Sequence, residues 1–113
     1  MQKSFRGWWN YKMHIKQSGG KFSPMATRLR LIRLAEGETN SSRWAKRMGW
    51  TLPQLSNYEN GVRISLNAAI QMADRVPGLT TDYILRGVMD GMTVDLRRRL
   101  EEVEAAGQLG TQR

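Results

Sequence analysis

The chain has 113 residues, 40% of them hydrophobic, which is room for one compact domain with a modest core and too little for two substantial ones. Eighteen Lys and Arg against ten Asp and Glu leave a formal charge of +8, a surplus that attracts polyanions such as nucleic acid or an anionic membrane surface. With no cysteine and a single histidine, His14, the sequence excludes disulfides, thiol nucleophiles, cysteine- or histidine-based metal sites and a Ser/His/Asp arrangement in its body, so no enzyme chemistry, cofactor or small-molecule ligand is expected.

Residues 1–24 form a basic, aromatic N-terminal arm: Lys3, Arg6, Lys12, Lys16 and Lys21 stand there without an acid. Residues 25–87 are moderately basic, and residues 88–113 are close to neutral. The arm's Trp8-Trp9-Asn10-Tyr11 centre is interrupted by polar residues and does not read as the apolar segment of a secretory signal. Trp8, Trp9, Tyr11 and Phe22 fit base stacking, a membrane interface or packing on the body. Met25 opens the recognisable domain, so the arm reads either as a functional extension or as a stretch preceding the true translation start. Ser18-Gly19-Gly20 marks a flexible joint between arm and body. No apolar run approaches the roughly 18 to 20 residues that a spanning helix needs, and the protein is expected to be soluble and cytoplasmic.

The body is helical in its spacing. From Met25 to about Glu36, Leu29, Ile32 and Ala35 or Glu36 recur on one helical face, and Gly37 is placed to end the helix. Asn40 caps a second short helix with Trp44, Ala45 and Met48 on one side and a stop at Gly49. Thr51-Leu52-Pro53-Gln54 reads as a capping box, in which the Thr51 hydroxyl accepts from the Gln54 amide and the Gln54 side chain returns to the Thr51 amide. Pro53 is tolerated in a first turn, whose amides have no partner inside the helix. The third helix runs to Glu59 or Asn60 and closes at Gly61. Leu66, Ala69, Ile70 and Ala73 mark a fourth, and Thr80 or Thr81 caps a fifth carrying Tyr83, Ile84 and Leu85 up to Gly87. Beyond Gly91 a last helix aligns Met92, Leu96, Leu100 and Val103 and ends by Gly107. That stripe either covers the domain's own core or meets its twin in a homodimer, and the expectation leans to the dimer.

The second and third helices carry the functional signal. A link as tight as Gly49-Trp50-Thr51 forbids antiparallel packing, so the third helix crosses the second steeply and projects from the surface. Ala45 allows the close crossing, while Trp50 and Leu55 fill the wedge. A projecting helix of this diameter fits the DNA major groove, about 12 Å wide.

The stretch Trp44-Ala45-Lys46-Arg47-Met48-Gly49-Trp50-Thr51, followed by Leu55-Ser56-Asn57-Tyr58-Glu59-Asn60-Gly61, resembles the helix-turn-helix of the phage repressor and Cro family, also called the xenobiotic-response-element family. Arg28-Leu29-Arg30 through Gly37 is similar to that family's first helix, and Val76-Pro77-Gly78-Leu79-Thr80 through Gly87 to its closing segment. The resemblance spans about residues 25–87. It implies an all-α, five-helix repressor-like domain, binding double-stranded DNA as a two-fold dimer and acting as a bacterial or prophage repressor or autoregulator. It also implies site residues: Ser41, Ser42 and Arg43 near phosphate; Thr51, Leu52, Pro53 and Gln54, with Asn57 one turn later, at base edges; Asn60 and Arg63 touching phosphate or bases. Gln54 suits adenine, Arg63 guanine, and Leu52 a thymine methyl.

The sequence departs from the family at Leu52 and Pro53, where many relatives carry polar side chains, and at Glu38, where relatives often carry an apolar one. Leu52 and Pro53 support an alternative, a protein-interaction adaptor or antitoxin-like partner with little sequence readout. Trp44, Trp50, Leu55 and Tyr58 are expected in the core, and Glu59 paired with Arg28 or Arg30. Lys46 and Arg47, like Arg97-Arg98-Arg99, fit a solvated face as well as a phosphate contact.

Overall fold

A computed structural model of the chain describes Gly20 and residues 22–107, and within them it is all helix: α1 (Pro24–Ala35), α2 (Ser41–Met48), α3 (Leu52–Glu59), α4 (Leu66–Arg75), α5 (Thr81–Arg86) and α6 (Val94–Ala105). The arm's Trp8, Trp9 and Tyr11, its bases from Lys3 to Lys21, and His14 lie outside the described residues. None of the described helices is long and apolar enough to cross a membrane.

Every helix starts on a hydroxyl or amide side chain that accepts an otherwise unpaired first-turn N–H. Ser23 Oγ takes the Ala26 amide at 3.2 Å, Thr80 Oγ1 the Tyr83 amide at 3.1 Å and Thr93 Oγ1 the Leu96 amide at 3.2 Å. Each element expected from the sequence is present. Thr80, rather than Thr81, caps α5, and α1 begins one residue early because Ser23 and Pro24 make a better start than Met25.

One core joins all six helices. Leu29 and Ile32 from α1 meet Trp44 and Met48 from α2, Leu55 from α3, Met72 from α4 and Ile84 from α5, all 2% exposed or less. Burying such a side chain stabilises the fold by roughly 1.5 to 3 kcal/mol. The α6 residues Leu96 and Leu100 enter this same core, and α6 packs along α1. Of the apolar stripe of the last helix, Met92, Leu96 and Leu100 are therefore buried inside their own chain and Val103 is partly buried against the same core. The register of α6 is fixed by Arg99, which donates to the Ala35 carbonyl at 2.8 Å and to Glu36 Oε2 at 2.9 Å. Glu36, its side chain only 8% exposed, also takes Arg47 from α2.

The fourth helix turns a different face inward than its largest side chains suggest. Ala68, Ala69 and Met72 are buried, while Leu66 and Ile70 stand 60% and 43% exposed. Small alanines let α4 approach α2 and α5, against both of which it packs.

Gly61, just after α3, holds φ +107°, and a Cβ built on it would collide with the backbone of Gly20. The chain entering α1 thus lies against the chain leaving α3. Gly61→Ala is expected to lower the chemical-denaturation midpoint clearly more than Gly37→Ala. Both pay the left-handed strain of about 1 to 2 kcal/mol, but Gly37, at φ +77°, has open space around its missing side chain. Equal losses from the two substitutions would refute the close approach.

Candidate nucleic-acid interface

The site is built around the reversal between α2 and α3. Asn40 Oδ1 accepts the Arg43 amide at 2.9 Å to open α2, and Gly49 at φ +80° closes it. There the Gly49 amide bonds the Lys46 carbonyl at 3.1 Å and the Trp50 amide the Ala45 carbonyl at 2.9 Å, the paired bonds of a glycine-terminated helix. This reversal drives Trp50 inward to 6% exposure. Its Nε1 donates to Gln71 Oε1 at 3.2 Å, and its ring meets Tyr58 edge-on with centroids 5.1 Å apart. The turn rests on α4, where a Cβ at Gly49 would come within 2.6 Å of Gln71 Nε2, and Arg75 donates to the Arg47 carbonyl at 3.0 Å.

Thr51 Oγ1 then takes the Gln54 amide at 3.1 Å and starts α3, with Pro53 in its first turn. Only half of the expected capping box forms. The Gln54 side chain runs forward along the helix, its Nε2 donating to the Tyr58 hydroxyl at 3.4 Å, instead of returning to the Thr51 amide.

The third helix packs on α1 and α2, and of its eight residues only Leu55 is fully buried. Its far end is clamped by Glu59, whose carboxylate receives Arg33 Nε at 2.9 Å and Nη2 at 3.2 Å with both side chains about one-eighth exposed. The salt bridge is therefore to Arg33, while of the two expected partners Arg30 also reaches Glu59, through its backbone carbonyl. Arg30 donates to the Glu59 backbone carbonyl and feels the Glu59 charge, while Arg28 donates to the Ile84 carbonyl at 3.2 Å. Burial lowers both the Arg28 and the Arg30 pKa from the ordinary guanidinium value.

Held from behind in this way, α3 turns Pro53, Ser56, Asn57 and Asn60 to solvent at the three-and-four spacing of one helical face. Asn57 makes no side-chain hydrogen bond among the described residues and is free to engage a ligand. Asn60 spends its Nδ2 on the Ser56 carbonyl at 2.8 Å and the Ser56 hydroxyl at 3.2 Å. Ser56 was not among the residues expected at the interface. Its position three residues after Pro53 and one before Asn57 was the available signal. Leu52 is 45% exposed, and Thr51 is exposed in its capping role.

At the start of α2, Ser42 is exposed and Ser41 half-exposed, whereas Arg43 is engaged. Its guanidinium donates to Glu38 Oε2 at 3.1 Å and 3.3 Å, and the Asn40 amide donates to the same oxygen at 3.1 Å. These bonds, Arg43's first, hold the Glu38 carboxyl below its usual pKa. Glu38 thereby ties the loop before α2 together where an apolar residue would have packed. Arg47 is structural as well: it bonds Glu36 and its guanidinium carbon lies 5.1 Å from the Trp44 ring centroid. Arg98 and Arg99 are held by acids of α6 and by Glu36. Lys46 and Arg63 are exposed and have no counterion among the described residues. Between Glu38 and Asp74 the only acid is Glu59, already neutralised by Arg33, so the segment that carries α2 and α3 is net basic.

Beside the site a cleft of about 240 Å³ separates the start of α1, from Ser23 to Arg28, from Gly61, Val62 and Arg63. No group of three or more possible metal-ligating side chains occurs among the described residues. Comparison of the chain with protein-family models, with curated proteins and with solved structures found no match.

Proposed function

We propose that the chain is a sequence-specific DNA-binding regulator of the phage-repressor and Cro kind, a repressor or autoregulator that lays α3 in the major groove of paired half-sites. One observation carries this reading: α3 buries only Leu55, is clamped from behind by Arg33, and offers a polar face in a segment whose one acid is paired. A helix so presented matches a groove about 12 Å wide lined with donors, acceptors and flanking phosphates.

Roles follow from availability. Asn57, unbonded, suits a bidentate pair with adenine, and Arg63 one with guanine. Gln54 reaches a base only by leaving Tyr58. Ser41, Ser42 and Lys46 meet phosphate directly, Arg43 by opening its pair with Glu38, and Asn60 keeps its Oδ1 for an approaching donor. Leu52 and Pro53 donate nothing, so part of the specificity comes from the shape of the duplex between half-sites. Two copies on half-sites about 34 Å apart satisfy a two-fold operator, and their contact lies outside the α6 stripe.

The test is site selection from random duplexes by the parent and by Asn57→Ala, Arg63→Ala, Gln54→Ala and Ser42→Ala. Asn57→Ala and Arg63→Ala are expected to cost about 1 to 3 kcal/mol on the selected site and to relax one or two base positions each. Gln54→Ala costs less, because it first has a Tyr58 bond to lose. Ser42→Ala weakens all duplexes alike and leaves the motif intact. Identical preferences from all five proteins would overturn the assignment of α3 as the reading helix. A second reading, a protein-binding adaptor, is favoured by the exposed Leu52, Val62, Leu66 and Ile70. It takes over if the parent selects no motif.

A further inference from the structure

Val62, Leu66 and Ile70 are 54%, 60% and 43% exposed, a run of apolar surface at and just before α4. Leu66 and Ile70 lie one helical turn apart, away from the buried Ala68, Ala69 and Met72, and the same ridge continues to Asp74 with the exposed Asn67 beside it. Charge on this ridge is divided by end. Arg63, just ahead of the helix, and Asp74, in its last turn, are both exposed, and neither has a counterion among the described residues. An acid in the last turn opposes the helix dipole, so Asp74 gains nothing from its own helix. The order Arg63, Leu66, Ile70, Asp74 is a base, two apolar residues and an acid. It is almost symmetric about position 68, with the apolar pair two positions to either side and the charges five and six. Half a turn about that point brings each end of the pattern onto its complement.

We propose that this face of α4 receives a second copy of the chain, the two α4 helices packing antiparallel about a two-fold axis near residue 68. Leu66 of each copy then meets Ile70 of the other, and Arg63 of each meets Asp74 of the other. Each Asp74 carboxylate also comes to the N-terminal end of a helix, where negative charge is favoured. Charge complementarity selects the occupant: a face with its one base and its one acid at opposite ends fits its own inverse. The apolar patch is small against the roughly 1,200 Å² of a stable interface, so the pair is weak in free solution and tightens when two half-sites hold the copies side by side. The inference deepens the DNA-binding reading and rests on it for the purpose of the pair, while the association itself needs no DNA. A carboxylate takes two of the five donors of Arg63, so the guanidinium keeps others for a base or a phosphate.

The test measures self-association of the full chain at low salt by sedimentation equilibrium, from about 10 µM to about 1 mM, the range for an interface of this size, with thermal melts alongside. Asp74→Arg puts two like-charge contacts where two ion pairs stood and is expected to weaken the dimer about 10-fold or more. Arg63→Asp does the same from the other side. The double variant, Arg63→Asp with Asp74→Arg, restores opposite charges across the axis and regains most of the parent's association. Leu66→Gln, at an exposed position, weakens it at an unchanged melting temperature. A variant that merely unfolds is not repaired by a second charge change, so the double variant separates association from folding. A parent that stays monomeric throughout overturns the proposal and leaves the face to a protein of other sequence. Equal association of the parent and Asp74→Arg overturns it too, as does failure of the double variant to recover. A monomeric parent that still selects a base motif loses this face and keeps the α3 reading. A parent that dimerises through the face and selects no motif keeps the face and loses that reading.

Discussion

Trp44→Ala is expected to unfold most of the protein before it alters any binding preference. The indole is 0% exposed at the centre of the core and also carries the Arg47 guanidinium on its face. Truncating a buried aromatic costs about 3 to 5 kcal/mol, and small domains have only about 5 to 15 kcal/mol in all. Trp44→Phe should cost markedly less. The indole Nε1 is buried without a hydrogen-bond partner among the described residues, so the lost packing is partly offset by removal of an unsatisfied donor. Urea denaturation of the two variants separates these cases. A cooperative transition for Trp44→Ala near the parent's midpoint would contradict the packing described for this residue.

The second large effect concerns salt. If the α2–α3 surface and the basic segment before it neutralise six or more phosphates per bound complex, affinity for duplex DNA is expected to fall by about 10³-fold or more between 50 and 200 mM salt. Arg63 and Lys46, unpaired among the described residues, contribute most directly, because no internal ion pair has to open first. Arg43 contributes less per charge, since leaving Glu38 exposes a carboxylate to the same phosphates. A fluorescence-anisotropy titration over that range measures the slope. A flat response would remove the electrostatic basis of the proposed function.

Much of the fold was legible because helix ends are local chemistry. Asn40, Thr51 and Thr80 announce starts through hydrogen bonds reaching only three residues, and Gly49 and Gly87 announce stops through a backbone conformation that side chains resist. Faces were less legible, because they are chosen by neighbours distant in sequence. Leu66 and Ile70 look like the core of α4, yet Ala68 and Ala69 take that place because close helix packing rewards small size. The apolar stripe of α6 could not reveal whether its cover was this chain or another copy. Glu59 had three arginines on α1 within a helical turn or two, and only the packing of α3 on α1 selects Arg33.

The candidate site divides in the same way. Exposure of Asn57 and Arg63 followed from the projecting third helix, whereas the turn of Gln54 toward Tyr58 depends on where Trp50 pins that ring. The engagement of Arg43 by Glu38 was equally out of reach, because a five-residue loop had to fold before the two could meet.

The Glu36 carboxylate bears on how the chain assembles. It joins a residue eleven positions later to one sixty-three positions later, and its side chain is nearly removed from solvent. A buried charge is tolerated only when its partners are in place, so full satisfaction of this one needs α6 docked as well as α2. Without α6 the carboxylate keeps Arg47 as its partner and loses the one on its second oxygen. The junction of the first two helices is thus tied to the C-terminal part of the chain, and a chain lacking Arg99 would lose the bonds that α6 makes to Ala35 and Glu36.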